Sequence, residues 1–350
     1  MMLKVGVIGL GQMGRLHLYN CMHIKGVQVI AAADQSKKFL KKAESLGVKR
    51  LSQDYHDIFK EGDLDAVIIS LPNFLHLESV QLALESGCNV FVEKPLARTV
   101  EECQQIAEWV EKSGRKLMIG HCMRFLDPIE KMKAQVENGL IGSLEVITAE
   151  EILNGPFSHA AVPTPIPEWW FDPKRTGGGV LLDIGYHMID LYRFFAGEAK
   201  VVFSQFDHKM NLPMEDGAIL VLNSRDSDVK GIINVGWYQK SIFPSFNFRF
   251  IVHGNAGYTS TDDLAPSNFY AYAMKQGIRN FARKITGKKI KPLSYTYYYE
   301  QYVKELMLFF DSINRDTETP VTVLDGLRTV EIIAQAYQRN HSANSDLRSH

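Results

Sequence analysis

The sequence predicts two domains in series: a doubly wound α/β domain with a parallel sheet, then an α+β domain with a mainly antiparallel, open sheet. Three observations carry this. Short apolar runs rich in β-branched residues alternate with helical segments through about residue 120. A glycine turn, Gly9-Leu10-Gly11-Gln12-Met13-Gly14, joins the first run to the first helical segment. Beyond residue 122 the alternation stops, and strand-like runs follow one another through short polar or glycine turns, with one helix interposed at 177–195.

A chain of 350 residues is long enough for two cores. Hydrophobic residues at 45% and charged residues at 23% lie in the ordinary globular range. Lysine plus arginine at 39 against 40 acids leaves a net charge of -1, which gives no global case for a nucleic-acid partner or a membrane surface. Cys21, Cys88, Cys103 and Cys122 are scattered without metal-ligand spacing and read as thiols of a reducing compartment. No apolar run approaches the roughly 20 residues of a bilayer span, and the N-terminus reads as a strand entering a turn. The expectation is a cytoplasmic protein with no membrane span.

The first domain, 1–122, opens on the strand KVGVIGL and the G-x-G-x-x-G turn, then a helix. In that context Gly9 allows the tight turn, Gly11 the close approach of a pyrophosphate and Gly14 tight helix–strand packing, so Gly9, Gly11, Gln12, Met13 and Gly14 are assigned to a dinucleotide. The next strand ends on Asp34, 20 residues after Gly14, where an acid binds ribose hydroxyls. Asp34 favours NAD, because a carboxylate repels a 2′-phosphate; Lys37 and Lys38 just beyond leave NADP open. Further strands are expected at 66–72, 89–95 and 116–122. Two polar clusters follow strand ends, where open α/β sheets bind ligands: Leu71, Pro72 and Asn73 with His76, and Glu93 with Lys94 ahead of Pro95. A lysine there suits catalysis beside a nicotinamide, although taken alone it more often makes a surface ion pair with Glu93.

The second domain, 123–340, is expected to contain strands at 144–152, 200–208, 217–224, 229–237 and 248–254 and two closing helices that can pack back on the first domain, with 341–350 a frayed tail. A proline-rich segment at 154–176 ends in Trp169, Trp170 and Phe171 and is a candidate lid or oligomer contact. Residues 271–293 hold seven lysines and arginines and no acid, with Met274, Ile278, Phe281 and Ile285 at helical spacing. Such a helix can dock on anionic lipid or an anionic ligand; a solvated helix laying its apolar stripe on the core is the preferred reading.

In the helix at 177–195, Leu181, Ile184, Met188, Leu191 and Phe195 share one face, and Asp183, His187 and Asp190 form a polar stripe beside it. Alone, that stripe reads as a satisfied buried pair. As metal ligands the three lack a further partner, and no metal is assigned.

Taken together, Gly9-x-Gly11-x-x-Gly14, Asp34, Pro72-Asn73 with His76, Glu93-Lys94-Pro95, Arg124-Phe125 with Pro128, Gly177-Gly178-Gly179 followed by Asp183, His187 and Asp190, and Asp325-Gly326 resemble the Gfo/Idh/MocA family of nicotinamide-dependent oxidoreductases over about residues 2–340. The resemblance implies a Rossmann domain, a C-terminal domain whose open sheet makes a homodimer or homotetramer, and a sugar, sugar nucleotide or inositol-like polyol as substrate. It implies Lys94, Asp183 and His187 as catalytic groups; Arg124, and Trp170 from the apolar candidate lid, are assigned to the substrate. A non-catalytic NAD(H) sensor on the same fold is the alternative.

Overall fold

The computed structural model describes residues 2–153, 155, 167–238, 247–264, 269–288 and 300–347. The chain divides into two compact units: Met1–Leu96, Gln104–Leu126 and Pro266–Leu324 form the first, and Ala97–Cys103, Asp127–Ala265 and Asp325–His350 the second.

The first unit is built on a six-stranded parallel sheet in the order β3-β2-β1-β4-β5-β6. Its strands are β1 (Leu3–Ile8), β2 (Val27–Ala33), β3 (Arg50–Ser52), β4 (Ala66–Ile69), β5 (Asn89–Glu93) and β6 (Leu117–Gly120). The central strands are fully enclosed because the crossover helices cover both faces, which is why they read as unbroken Val/Ile/Ala runs. Those helices are α1 (Gln12–Cys21), α2 (Lys37–Ser45), α3 (His76–Glu85) and α4 (Val100–Ser113). Strand order reverses between β1 and β4, so the ligand crevice belongs outside their carboxyl ends. Strand β3, three half-buried residues at the sheet edge, carried too little apolar pattern to be expected.

The second unit holds a six-stranded mixed sheet, β12-β11-β7-β10-β9-β8, formed by β7 (Leu144–Ile152), β8 (Ala199–Asp207), β9 (Gly217–Ser224), β10 (Lys230–Gly236), β11 (Asn247–Gly254) and β12 (Gly257–Ser260). Every neighbouring pair is antiparallel except β7 with β10. Helices α5 (Asp127–Glu137), α6 (Pro173–Thr176), α7 (Tyr186–Ala196) and α8 (Thr261–Leu264) belong to this unit. Helix α7 lies on the inner face, where Tyr192 donates its hydroxyl to Val229 O at 2.7 Å. The apolar spacing of α7 is met in full: Met188, Leu191 and Phe195 are buried on it.

Three further helices complete the chain: α9 (Phe269–Ile285), α10 (Glu300–Arg315) and α11 (Val323–Leu347). Helix α10 packs in the first unit, with the Phe309 ring 5.8 Å from Phe91 of β5. Helix α11 runs along β8, where Ser204 donates to Ala336 O. It continues to Leu347, so most of the stretch expected to fray is helical. The reading of the basic segment is corrected: Met274, Ile278, Phe281 and Ile285 of α9 are 65–69% exposed, so their stripe does not cover the core. Periodicity establishes that a helix is two-sided and leaves open which side the rest of the chain accepts.

Candidate cofactor and catalytic sites

In the first unit the glycine turn forces itself on the sequence through close contacts. Gly9 has φ +79°, and a Cβ on Gly14 would sit 1.7 Å from Gly9 O. Gly11, by contrast, faces open space, with nothing within 4 Å of where a Cβ would be. Gln12 and Met13 begin α1, whose first turn has neither a side-chain cap nor an acid. Its N–H groups are therefore available to a phosphate. Asp34 closes over this turn: its Oδ2 accepts from Leu10 N–H at 2.6 Å and its Oδ1 from Ser36 N–H at 2.7 Å. A carboxylate fixed there retains lone pairs for ribose hydroxyls, and the open face at Gly11 with the bare helix start fits a pyrophosphate.

Beyond β4, Leu71 and Pro72 lead into a short 3₁₀ turn, Asn73–Leu75. His76 is buried, with Nδ1 2.9 Å from Pro95 O and Nε2 3.0 Å from Leu71 O. Burial pushes its pKa down, against the pull of those carbonyls. Both ring nitrogens face backbone, so His76 ties the loop after β4 to the loop after β5 and bears on the crevice through them. Lys94, half-buried, follows directly on β5. Arg124 is buried in a 3₁₀ turn, Cys122–Phe125, just past β6.

Behind Lys94 lies a buried polar cluster not expected from sequence. Glu93 Oε1 is 2.6 Å from His17 Nε2 of α1. Glu305 of α10 is fully buried, and neither carboxylate oxygen has a hydrogen-bond partner among the described residues. One ligand atom from each of the three lies within 4.8 Å of the others. Two donors on one tetrahedral zinc, each about 2.0–2.2 Å from the metal, stand about 3.3 Å apart. The His17–Glu93 contact is shorter than that and is a hydrogen bond. Burial first, then the Glu93 charge, pushes the Glu305 carboxyl well above the ordinary range. The sequence signal was a lone histidine among Leu16, Leu18 and Cys21 on α1.

In the second unit, Trp169 and Trp170 sit half-buried in a 3₁₀ turn, Glu168–Phe171, with rings 5.6 Å apart. The expected helix at 177–195 is two pieces, a π turn at Leu181–Gly185 and then α7. Asp183 is in the π turn and His187 on the first turn of α7, at 8% exposure. Tyr186 is fully buried with its ring perpendicular to that of His187. Asp190 is also buried.

What holds this polar stripe is Glu215, in the turn ahead of β9. Its Oε1 accepts from Gly179 N–H at 2.9 Å, Leu181 N–H at 3.1 Å and Tyr337 O–H at 2.7 Å. A carboxylate from 36 residues away thus caps the helix. A Cβ on Gly179 would meet Glu215 O at 2.2 Å, which explains the last glycine of the run. Burial raises the Glu215 carboxyl, while Tyr337 and the backbone donors hold it down. Sequence reasoning missed Glu215, since nothing local marks an acid that serves a distant helix.

Comparison with known proteins is consistent with both halves. A profile described as "Oxidoreductase family, NAD-binding Rossmann fold" matches residues 3–121, and one described as "GFO/IDH/MocA C-terminal domain" matches residues 129–260. The chain belongs to the Gfo/Idh/MocA family. It is an oxidoreductase with an NAD-binding Rossmann domain. Among family relatives, it is 28% identical to the uncharacterised oxidoreductase YrbE of Bacillus subtilis, over 95% of this chain and 93% of that one. It is 26% identical to myo-inositol 2-dehydrogenase of Thermotoga maritima, over 93% and 92%. The solved scyllo-inositol dehydrogenase of Lactobacillus casei with NAD(H) and scyllo-inositol superposes with a TM-score of 0.78 at 22% identity, covering 98% of each chain, and so shares the fold.

Proposed function

We propose that the protein is an NAD-dependent dehydrogenase that oxidises a secondary alcohol of an inositol-like polyol or a sugar. The observation that carries the substrate class is full-length similarity to a myo-inositol 2-dehydrogenase, on a chain whose sequence has Lys94, Asp183 and His187. Retention of all three favours a working enzyme over a sensor. NAD is favoured over NADP because the fixed Asp34 carboxylate would repel a 2′-phosphate.

The cofactor, when bound, supplies a hydride acceptor. In the proposed roles, His187 takes the hydroxyl proton, as an imidazole with ordinary pKa near 6.5 can do at neutral pH. Asp183 orients the ring and favours the imidazolium. The Lys94 ammonium donates to the same oxygen and stabilises developing alkoxide. Arg124 and Trp170 are assigned to substrate, with Trp170 supplying apolar cover.

The proposal extends to a homodimer or homotetramer made through the outer face of the second sheet and working in the cytoplasm. Val202, Phe203, Ile219 and Ile232 are 43–48% exposed there, and register aligns Phe203 with Val221 and Val221 with Ile232 across three strands. Such a row on a sheet face suits a partner sheet. A screen of inositols, free aldoses and sugar nucleotides, following reduced nicotinamide with NAD and NADP in parallel, tests the reading. Turnover of an inositol or aldose with NAD is the expected result, and no turnover across the whole panel would overturn it.

A further inference from the structure

Helix α9 presents its apolar side outward. Met274, Ile278, Phe281 and Ile285 stand at helical spacing and are 65–69% exposed, while Gln276, on the opposite side of the helix, is buried. At about 100° per residue, the four apolar side chains fall within about 60° of one another. Lys275 and Lys284 then lie about a quarter-turn away on either flank, with Arg279 a little further round. All three of these cations are exposed. Between Phe269 and Lys288 there is no acid, and the sequence continues with Lys289 and Lys291.

This arrangement differs from an ordinary surface helix, which turns its apolar stripe inward. It also differs from the exposed row on the second sheet, whose neighbours include Glu150 and Arg249 of both signs. On α9 the only charges beside the apolar stripe are positive. A symmetric contact with a second copy would set these cations against their own kind. An anionic lipid surface accepts both parts at once: the side chains of one face enter the headgroup–acyl boundary, and lysines on the flanks reach up to phosphate.

We propose that α9 is a membrane-surface docking helix that lies flat on anionic phospholipid, with Met274, Ile278, Phe281 and Ile285 inserted and Lys275, Arg279 and Lys284 at the headgroups. The binding is peripheral: α9 has 17 residues and many charges, and no described helix is long and apolar enough to cross a membrane. Two attractions act together, so binding has to weaken both with added salt and with loss of apolar area.

The test is co-sedimentation of the full chain with phosphatidylglycerol–phosphatidylcholine vesicles and with phosphatidylcholine vesicles alone. Wild type is expected to bind the anionic vesicles at least about tenfold more tightly than the neutral ones, and to lose about tenfold in half-molar salt. Phe281→Glu alters an exposed position, so it keeps the fold by circular dichroism and loses about tenfold or more in vesicle affinity. The pair Lys275→Glu and Lys284→Glu retains the apolar stripe and loses the preference for anionic lipid. Failure of wild type to bind anionic vesicles overturns the proposal, as does binding that Phe281→Glu leaves unchanged. Self-association that Phe281→Glu abolishes, without vesicle binding, also overturns it and assigns the face to a second copy.

Discussion

Each unit buries a glutamate near a proposed catalytic group, Glu215 in the second and Glu305 in the first, and the two are held differently. Glu215 gives one oxygen to three donors at the start of the helix that carries Asp183 and His187. Glu305 sits behind Glu93 and Lys94 with no donor on either oxygen among the described residues. Burial pushes both carboxyls upward; at Glu215 three donors and a helix end pull back, whereas at Glu305 no donor does and the Glu93 charge adds to the rise. A buried carboxyl is therefore not one kind of object. Its surroundings decide whether it works as an anion that orders backbone or as a neutral acid that fills a polar gap.

The largest expected effects come from the groups these glutamates stand behind. Lys94→Ala and His187→Ala should each lower kcat by about a hundredfold or more while NAD affinity is kept, read by steady-state rates and cofactor fluorescence. Near-wild-type turnover in either variant removes that residue from the chemistry. Next, Glu215→Leu strands two backbone N–H groups and the Tyr337 hydroxyl, and should cost about 2 kcal/mol in urea unfolding. Glu215→Gln keeps an acceptor oxygen and should recover about half of that loss. Equal losses in the two variants would mean that space, not hydrogen bonding, is what Glu215 supplies.

The smallest effect is the most discriminating. Glu305 has a folded-state pKa raised above that of the unfolded chain, so its contribution to stability is complete below the unfolded value of about 4.5 and is lost as pH rises through the folded value. Glu305→Gln cannot ionise. Relative to wild type it should therefore gain stability as pH rises above about 5, by about 1.4 kcal/mol per pH unit until the folded carboxyl ionises, in denaturant titrations. A difference that stays flat with pH would contradict the neutral acid. Loss of a stoichiometric metal from the variant would return the His17–Glu93–Glu305 cluster to metal chemistry.

The same contrast explains what the sequence made legible. The cofactor turn is local: Gly9, Gly11, Gly14 and Asp34 lie within one β-α-β stretch, and each reveals itself by spacing. Strands β1, β2, β4, β5 and β6 announce themselves because burial on both faces demands continuous apolar runs. Strand β12, four residues whose first two are exposed, has no such demand on it and was not anticipated. Helical spacing picked out Asp183 and His187, but not the π turn at Leu181–Gly185 that puts Asp183 outside the regular helix of His187. Nor was the support of the stripe legible: Glu215 and Tyr337 reach the helix start from 36 and about 150 residues downstream, and only folding brings them there. The Gly177-Gly178-Gly179 run was a partial clue, since a backbone with no side chains invites close approach. For α9 the spacing was right and the direction wrong, because nothing in a period of 3.6 says where the protein body lies.

The single parallel pair in the second sheet has a kinetic consequence. Joining β7 to β10 brings together residues 84 apart, as the Asn234–Glu150 side-chain bond marks. The loop that this pairing closes contains α7, β8 and β9. Its entropy must be spent before the middle of the sheet can form, whereas β8–β9 and β9–β10 zip from short connections. Folding of this unit should therefore start in the β8–β10 meander and finish with β7. Helix α7, which carries His187, lies inside that loop and packs on β7, so a strand that docks last also sets when this helix is fixed in place.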